Sequence, residues 1–168
     1  MGVTIMAPAR ILDMLGIREV ITVPVDATVE QALHILDDHG LRAAPVVDQN
    51  NLFCGMFSTH DVIKSLVPSY MTDGMASLDF ATGASSVLAS RLRKLFPSRV
   101  ADHVTATDSV KIESDTRTWE TLRMLMKYGS PLPVVDRHSG QLMGLISEQS
   151  AIDALLKMEA DEAEFDAE

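Results

Sequence analysis

The sequence repeats itself. Ile21–Asp48 (ITVPVDATVEQALHILDDHGLRAAPVVD) lines up with Val110–Asp136 (VKIESDTRTWETLRMLMKYGSPLPVVD). Asp26 matches Asp115, Leu33 matches Leu122, Leu36 matches Leu125 and Gly40 matches Gly129, every pair 89 positions apart. The run Pro45-Val46-Val47-Asp48 returns as Pro133-Val134-Val135-Asp136 at an offset of 88, and Gly55 and Gly144 restore 89. Order kept over this many positions is more than shared composition. The chain therefore contains two copies of one supersecondary unit.

Each copy reads as strand, helix, strand, strand, helix. Val20–Val23 is a short β-branched run. Thr28 follows as an N-cap with Gln31 at the capping-box position. Val29, Leu33 and Leu36, with Ala32 beside them, form one apolar face at helical spacing. Gly40 stops that helix, because glycine enters the left-handed region at little cost. Ala44–Val47 and Leu52–Phe57 are strands joined by the polar turn Asp48-Gln49-Asn50-Asn51. A second helix, Thr59–Val67, ends before Pro68. The second copy repeats the pattern over Val110–Ile112, Arg117–Tyr128, Leu132–Val135, Gln141–Ile146 and Glu148–Met158.

The chain thus divides into a lead-in (1–19), a first repeat (20–67), a linker (68–99), a second repeat (100–158) and an acidic tail (159–168). Within the lead-in, Pro8–Leu15 reads as a short helix closed by Gly16. Within the linker, Leu88, Leu92, Leu95 and Phe96 share a helical face, with Arg93 and Lys94 pointing away and Arg91 at its flank. The tail holds six acids and no base, and reads as a solvated, fraying helix end. The formal charge is −10, and −4 without those ten residues, so most of the acidity belongs to the tail. Such a balance repels phosphate and disfavours general nucleic-acid binding. Only the basic linker residues Arg91, Arg93, Lys94 and Arg99 leave that reading any footing. One cysteine, Cys54, excludes an internal disulfide framework and multi-cysteine metal sites, and suits a reducing compartment. No uncharged apolar run reaches the ~20 residues a membrane helix needs, and the N-terminus lacks a secretory pattern. A cytoplasmic protein with no membrane contact is expected.

The segment that carries chemistry is Gly55-Met56-Phe57-Ser58-Thr59-His60-Asp61. A strand delivers the chain to a helix N-terminus, where unpaired N–H groups and the helix dipole favour an anion. Ser58 and Asp61 fit a capping pair. They equally fit a nucleotide site, in which Asp61 accepts from ribose hydroxyls while Ser58, Thr59 and the N–H groups meet phosphate. His60 is either a phosphate contact or a surface residue. The ordered set helix-Gly, three or four residues, Pro-Val-Val-Asp and then Gly-h-h-Ser (h apolar) occurs in both copies, completed in the first as Gly-h-h-[ST]-x-x-D by Asp61, and it resembles the CBS domain. The resemblance implies an α/β fold of α+β character: two β-α-β-β-α repeats packed with pseudo-twofold symmetry, here with a helical insertion between them. It also implies a non-catalytic regulatory module whose clefts bind adenosine-containing ligands such as AMP, ADP, ATP or S-adenosylmethionine. By that resemblance Asp61 holds ribose and Ser58 is its hydroxyl partner. The adenine slot falls to Ile21-Thr22-Val23-Pro24 and to Leu41 with Arg42, Ala43, Ala44 and Pro45. Arg42 stands where a phosphate-contacting base is common.

The second copy departs from this pattern. Its segment Gly144-Leu145-Ile146-Ser147-Glu148-Gln149-Ser150 has Ser150 in place of the acid, and a hydroxyl cannot offer the two-oxygen acceptor a ribose diol prefers. Glu148 adds a negative charge where phosphate would lie. One competent cleft and one degenerate cleft, at Ser147 and Ser150, are expected. Trp119 and Met126 replace Glu30 and Asp37, which gives the second copy's first helix an extra apolar stripe. That stripe is covered either by the linker or by a second chain, and the family resemblance implies homodimers through such helices. The five histidines lack metal-ligand spacing, and no nucleophile–base triad, P-loop or GxGxxG is present. No metal, required cofactor or catalysis is expected. A ligand-free interaction scaffold is the alternative. The protein target is not readable from the sequence.

Overall fold

A computed structural model describes Gly16 and residues 19–67, 84–104 and 111–165. The expected helix Pro8–Leu15 and the first part of the linker lie outside these residues. The chain separates into two compact units, one of Ile21–Thr107 and one of Met1–Val20 with Asp108–Glu168.

The first unit carries β1 (Val23–Pro24), α1 (Val29–Asp38), β2 (Ala43–Val47), β3 (Phe53–Ser58), α2 (Thr59–Leu66) and α3 (Ala84–Leu95), then a 3₁₀ turn at Val100–His103. The sheet order is β1-β2-β3, with β1 parallel to β2 (Val23 opposite Val46) and β2 antiparallel to β3 (Ala43 opposite Ser58). Of the expected first strand Val20–Val23 only Val23 pairs, and the strand continues to Pro24. Thr28 and Gln31 form the expected capping box, and Gly40 adopts φ +62° just after α1. Val23, Val29, Ala32, Leu36, Val46 and Phe57 are almost wholly buried in one core. Each large apolar side chain buried there stabilises the fold by about 1.5–3 kcal/mol.

The linker helix is part of this unit. Leu92 and Leu95 pack against the core. The carbonyls that follow α3 cap α1: Val29 N–H donates to the Ser98 carbonyl (2.9 Å) and Glu30 N–H to the Phe96 carbonyl (3.2 Å). Gln31 N–H donates to Thr28 Oγ1 (3.2 Å) and Ala32 N–H to the Thr28 carbonyl (3.0 Å). The first four N–H groups of a helix lack intrahelical partners or sit at its edge, and here each has one. Arg91 Nη1 donates to the Leu66 carbonyl at the end of α2 (3.1 Å), so this base serves the fold. Cys54 is half-buried beside the core, and burial with the nearby Asp48 carboxylate pushes its thiol up, as suits an inert filler.

The second unit repeats the architecture with β4 (Ile112–Glu113), α4 (Thr118–Tyr128), β5 (Leu132–Val135), β6 (Leu142–Ile146) and α5 (Glu148–Phe165). Its sheet order is β4-β5-β6, Ile112 opposite Val134 and Leu132 opposite Ile146. Even the register shift recurs, at Val46/Val47 and at Val134/Val135. Ile112, Leu125, Leu132, Val134 and Ile146 are buried together, with Ala151 and Ala154 of α5 facing them. The helix does not stop at Met158 but runs to Phe165, so most of the acidic tail is helical.

Candidate functional site

Two expected segments meet at one end of the first sheet, where β2 begins and β3 ends; of the third, Ile21–Pro24, the paired residues Val23 and Pro24 lie opposite Val46 and Val47 at the other end of β2, and Ile21 and Thr22 precede them. Arg42, Ala43, Ala44 and Pro45 lie at the end where β2 begins, with Ala43 directly opposite Ser58. The Arg42 carbonyl accepts from Thr59 N–H (3.0 Å) and from Thr59 Oγ1 (3.3 Å), which ties this segment to the N-terminus of α2. Ser58, extended at φ −137° and ψ 150°, is the N-cap. Its Oγ accepts from Asp61 N–H at 3.0 Å and donates to Asp61 Oδ2 at 2.6 Å. Asp61 and Thr59 are half-buried, while Arg42 and His60 are exposed beside them. Val23, Ala44 and Pro45 are buried and supply an apolar floor, Ile21 and Pro24 are exposed apolar residues, and the exposed polar side chains of this corner are Arg42 and His60.

The equivalent corner of the second unit is closed. Ser147 Oγ accepts from Ser150 N–H (3.1 Å), and Ser150 Oγ accepts from Ser147 N–H (2.9 Å) and donates to the Ser147 carbonyl (3.1 Å). The two serines satisfy one another as a reciprocal cap. Gly16 lies directly against Ser150: a Cβ on Gly16 would stand 2.4 Å from Ser150 Cβ. Glu148 is held by the Ser130 hydroxyl, which keeps its carboxyl below the usual range and its charge at this corner.

A protein-family model described as the CBS domain matches residues 13–68 and 100–157. That is more than half of the chain. The chain belongs to the CBS-domain family. It is a CBS pair, and the CBS domain is a non-catalytic regulatory fold. Comparison with curated protein sequences gives no match. Among solved structures, this CBS pair is similar to a CBS domain-containing protein of unknown function from Bacillus anthracis str. Ames Ancestor, with 19% identity over 89% of this chain and 94% of the other at TM-score 0.65. It is similar to CBSX2 in complex with AMP, with 22% identity over 89% and 98% at TM-score 0.62. It is also similar to CbpB in complex with c-di-AMP, with 15% identity over 93% and 90% at TM-score 0.65. At these identities the likeness concerns the fold.

The described part of the linker docks on the first repeat. Trp119 is 84% exposed and Met126 88% exposed. No described helix is long and apolar enough to cross a membrane, and no cluster of metal-ligating side chains occurs among the described residues. Sequence reasoning missed two participants, the linker carbonyls on α1 and Gly16 at Ser150. Both are backbone contacts between distant segments, and no side-chain pattern announces them.

Proposed function

We propose that this CBS pair is a regulatory module that binds one adenosine-containing ligand per chain at the Asp61 corner, and that it acts as a homodimer on a protein target. The arrangement of Ser58 and Asp61 at the start of α2, strapped to the Arg42–Pro45 segment, carries the reading. It sets a two-oxygen acceptor for ribose at the start of α2, with Arg42 and His60 at the rim toward phosphate and the Ile21–Pro24 and Arg42–Pro45 segments as a slot for adenine. AMP, ADP and ATP are the ligands favoured, with S-adenosylmethionine as the competing adenosyl compound. The AMP and c-di-AMP held by CBSX2 and CbpB support the ligand class. The self-paired serines and Glu148 at the second corner support a single working site. Trp119 and Met126 are the dimer contacts. Regulation requires the ligand to favour one arrangement of the dimer or its target complex, because equal affinity for two states shifts neither.

The Ser58–Asp61 hydrogen bond also supports a second reading, a ligand-free scaffold in which Asp61 only caps α2. Calorimetric titration with AMP, ADP, ATP and S-adenosylmethionine, with and without Mg²⁺, separates the two. The sensor reading expects one ligand per chain and a loss of about 10–100-fold in affinity for Asp61→Ala, the equivalent of hydrogen bonds to a charged acceptor. Absence of heat from folded protein, or normal binding by Asp61→Ala, removes the site assignment.

A further inference from the structure

The Asp61 corner continues past Arg42. Leu41, the residue before Arg42, and Thr59, which donates to the Arg42 carbonyl, both line a groove of about 510 Å³. Across it stands α1, with Glu30, His34 and Asp37 at the spacing i, i+4, i+7 on one exposed face. Leu33 and Phe96 add apolar surface. Leu41 N–H donates to the Leu36 carbonyl (2.8 Å), which ties the Arg42 segment to the end of α1 and fixes the corner beside this wall.

The wall is negative and uncompensated. Among the described residues no lysine or arginine lines the groove, and neither Glu30 nor Asp37 takes part in an ion pair. Asp37 stands in the last turn of α1, where the helix dipole disfavours an acid and no base accompanies it, so helix stability does not account for it. The aligned residues of α4 are Trp119, Arg123 and Met126. The carboxylates therefore belong to the repeat that carries Asp61 and are missing from the one that lacks it.

We infer that Glu30 and Asp37 set the specificity of the Asp61 site by repulsion, so that it takes the monophosphate: AMP binds more tightly than ADP, and ADP more tightly than ATP. With ribose on Asp61, a first phosphate lies toward Arg42 and His60 and is compensated there. A chain prolonged past Arg42 enters the space beyond Leu41 and Thr59, where each further phosphate meets carboxylates and no lysine or arginine. Discrimination of this kind comes from a misplaced charge facing the wrong ligand, and costs the right ligand little. This inference rests on the Asp61 reading above and adds which adenine nucleotide the site prefers, and why.

Calorimetric titration of the full chain with AMP, ADP and ATP, free of Mg²⁺, tests it. Each added phosphate is expected to weaken binding about 3–10-fold at low salt. In about 1 M salt, where the screening length is about 3 Å, the spread should narrow. In Glu30→Gln/Asp37→Asn, with helical circular dichroism confirming the fold, ADP and ATP should approach the affinity of AMP while AMP itself changes little. ATP bound by the natural chain as tightly as AMP overturns the inference, and so do unchanged affinity ratios in the double variant. Either result leaves the Asp61 site standing where Asp61→Ala loses AMP. A folded natural chain that binds no AMP overturns the Asp61 reading and this inference with it.

Discussion

The first and second repeats share strand order, register shift and core positions, yet they diverge at two places, the start of the last helix and the outer face of the first. At the start of the last helix, the first repeat has an acid paired with a serine, and the second has two serines closed on each other. On the outer face of the first helix, one repeat is acidic and the other carries exposed tryptophan and methionine. A duplicated unit keeps what folding needs and varies what folding leaves free. Leu36 and Leu125 are 1% and 3% exposed and stay leucine, while the exposed neighbours Asp37 and Met126 differ.

The largest effects should fall on what the repeats share. Leu36→Ala and Leu125→Ala are each expected to cost about 2–5 kcal/mol in urea unfolding, the range for large-to-small core changes. A cost below 1 kcal/mol at either site breaks the equivalence of the cores. Next comes the closed corner. Gly16→Ala should destabilise the chain by about 1–3 kcal/mol through overpacking. Ser150→Gly in the same chain should return part of that loss. Additive effects in the double-mutant cycle mean that Gly16 and Ser150 do not touch.

The caps sharpen the comparison further. Ser58 and Ser147 accept from the N–H three residues on at 3.0 and 3.1 Å. Substituting alanine at either should cost about 1 kcal/mol of thermal stability. Only the change at 58 should also weaken nucleotide binding, so equal effects on both properties dissolve the asymmetry. The smallest effect is a titration. Glu148 is held below the ordinary glutamate value by Ser130, so its stabilising contribution is present above that value and fades as pH falls through the lowered one. Its NMR midpoint should lie below that of a free glutamate and rise in Ser130→Ala. A midpoint at or above the ordinary value discards the contact.

Periodicity made the repeats legible. Val29, Leu33 and Leu36 announced α1, and the Thr28–Gln31 box and Gly40 bounded it nearly to the residue. The Ser58–Asp61 pairing was legible because four residues span one helical turn. What the sequence concealed was long-range and made by backbone. Ser98 and Phe96 meet α1 through carbonyls, which every residue carries. Gly16 meets Ser150 through the side chain it lacks. The acidic tail was legible as a helix end, but not how far the helix runs, because acid-rich residues carry no apolar period to mark its last turn.

The linker carbonyls on α1 bear on how the chain can be cut. A fragment ending at Val67 would expose the α1 amides of Val29 and Glu30 to water, leave Leu66 without Arg91 and uncover the core beneath Leu92 and Leu95. The smallest separable piece of the first repeat therefore extends past Val100, whose own N–H returns to the Ala27 carbonyl at 2.9 Å. What reads as a connector is the last-laid course of the first repeat, and a protease acting between α2 and α3 should leave two pieces that remain associated.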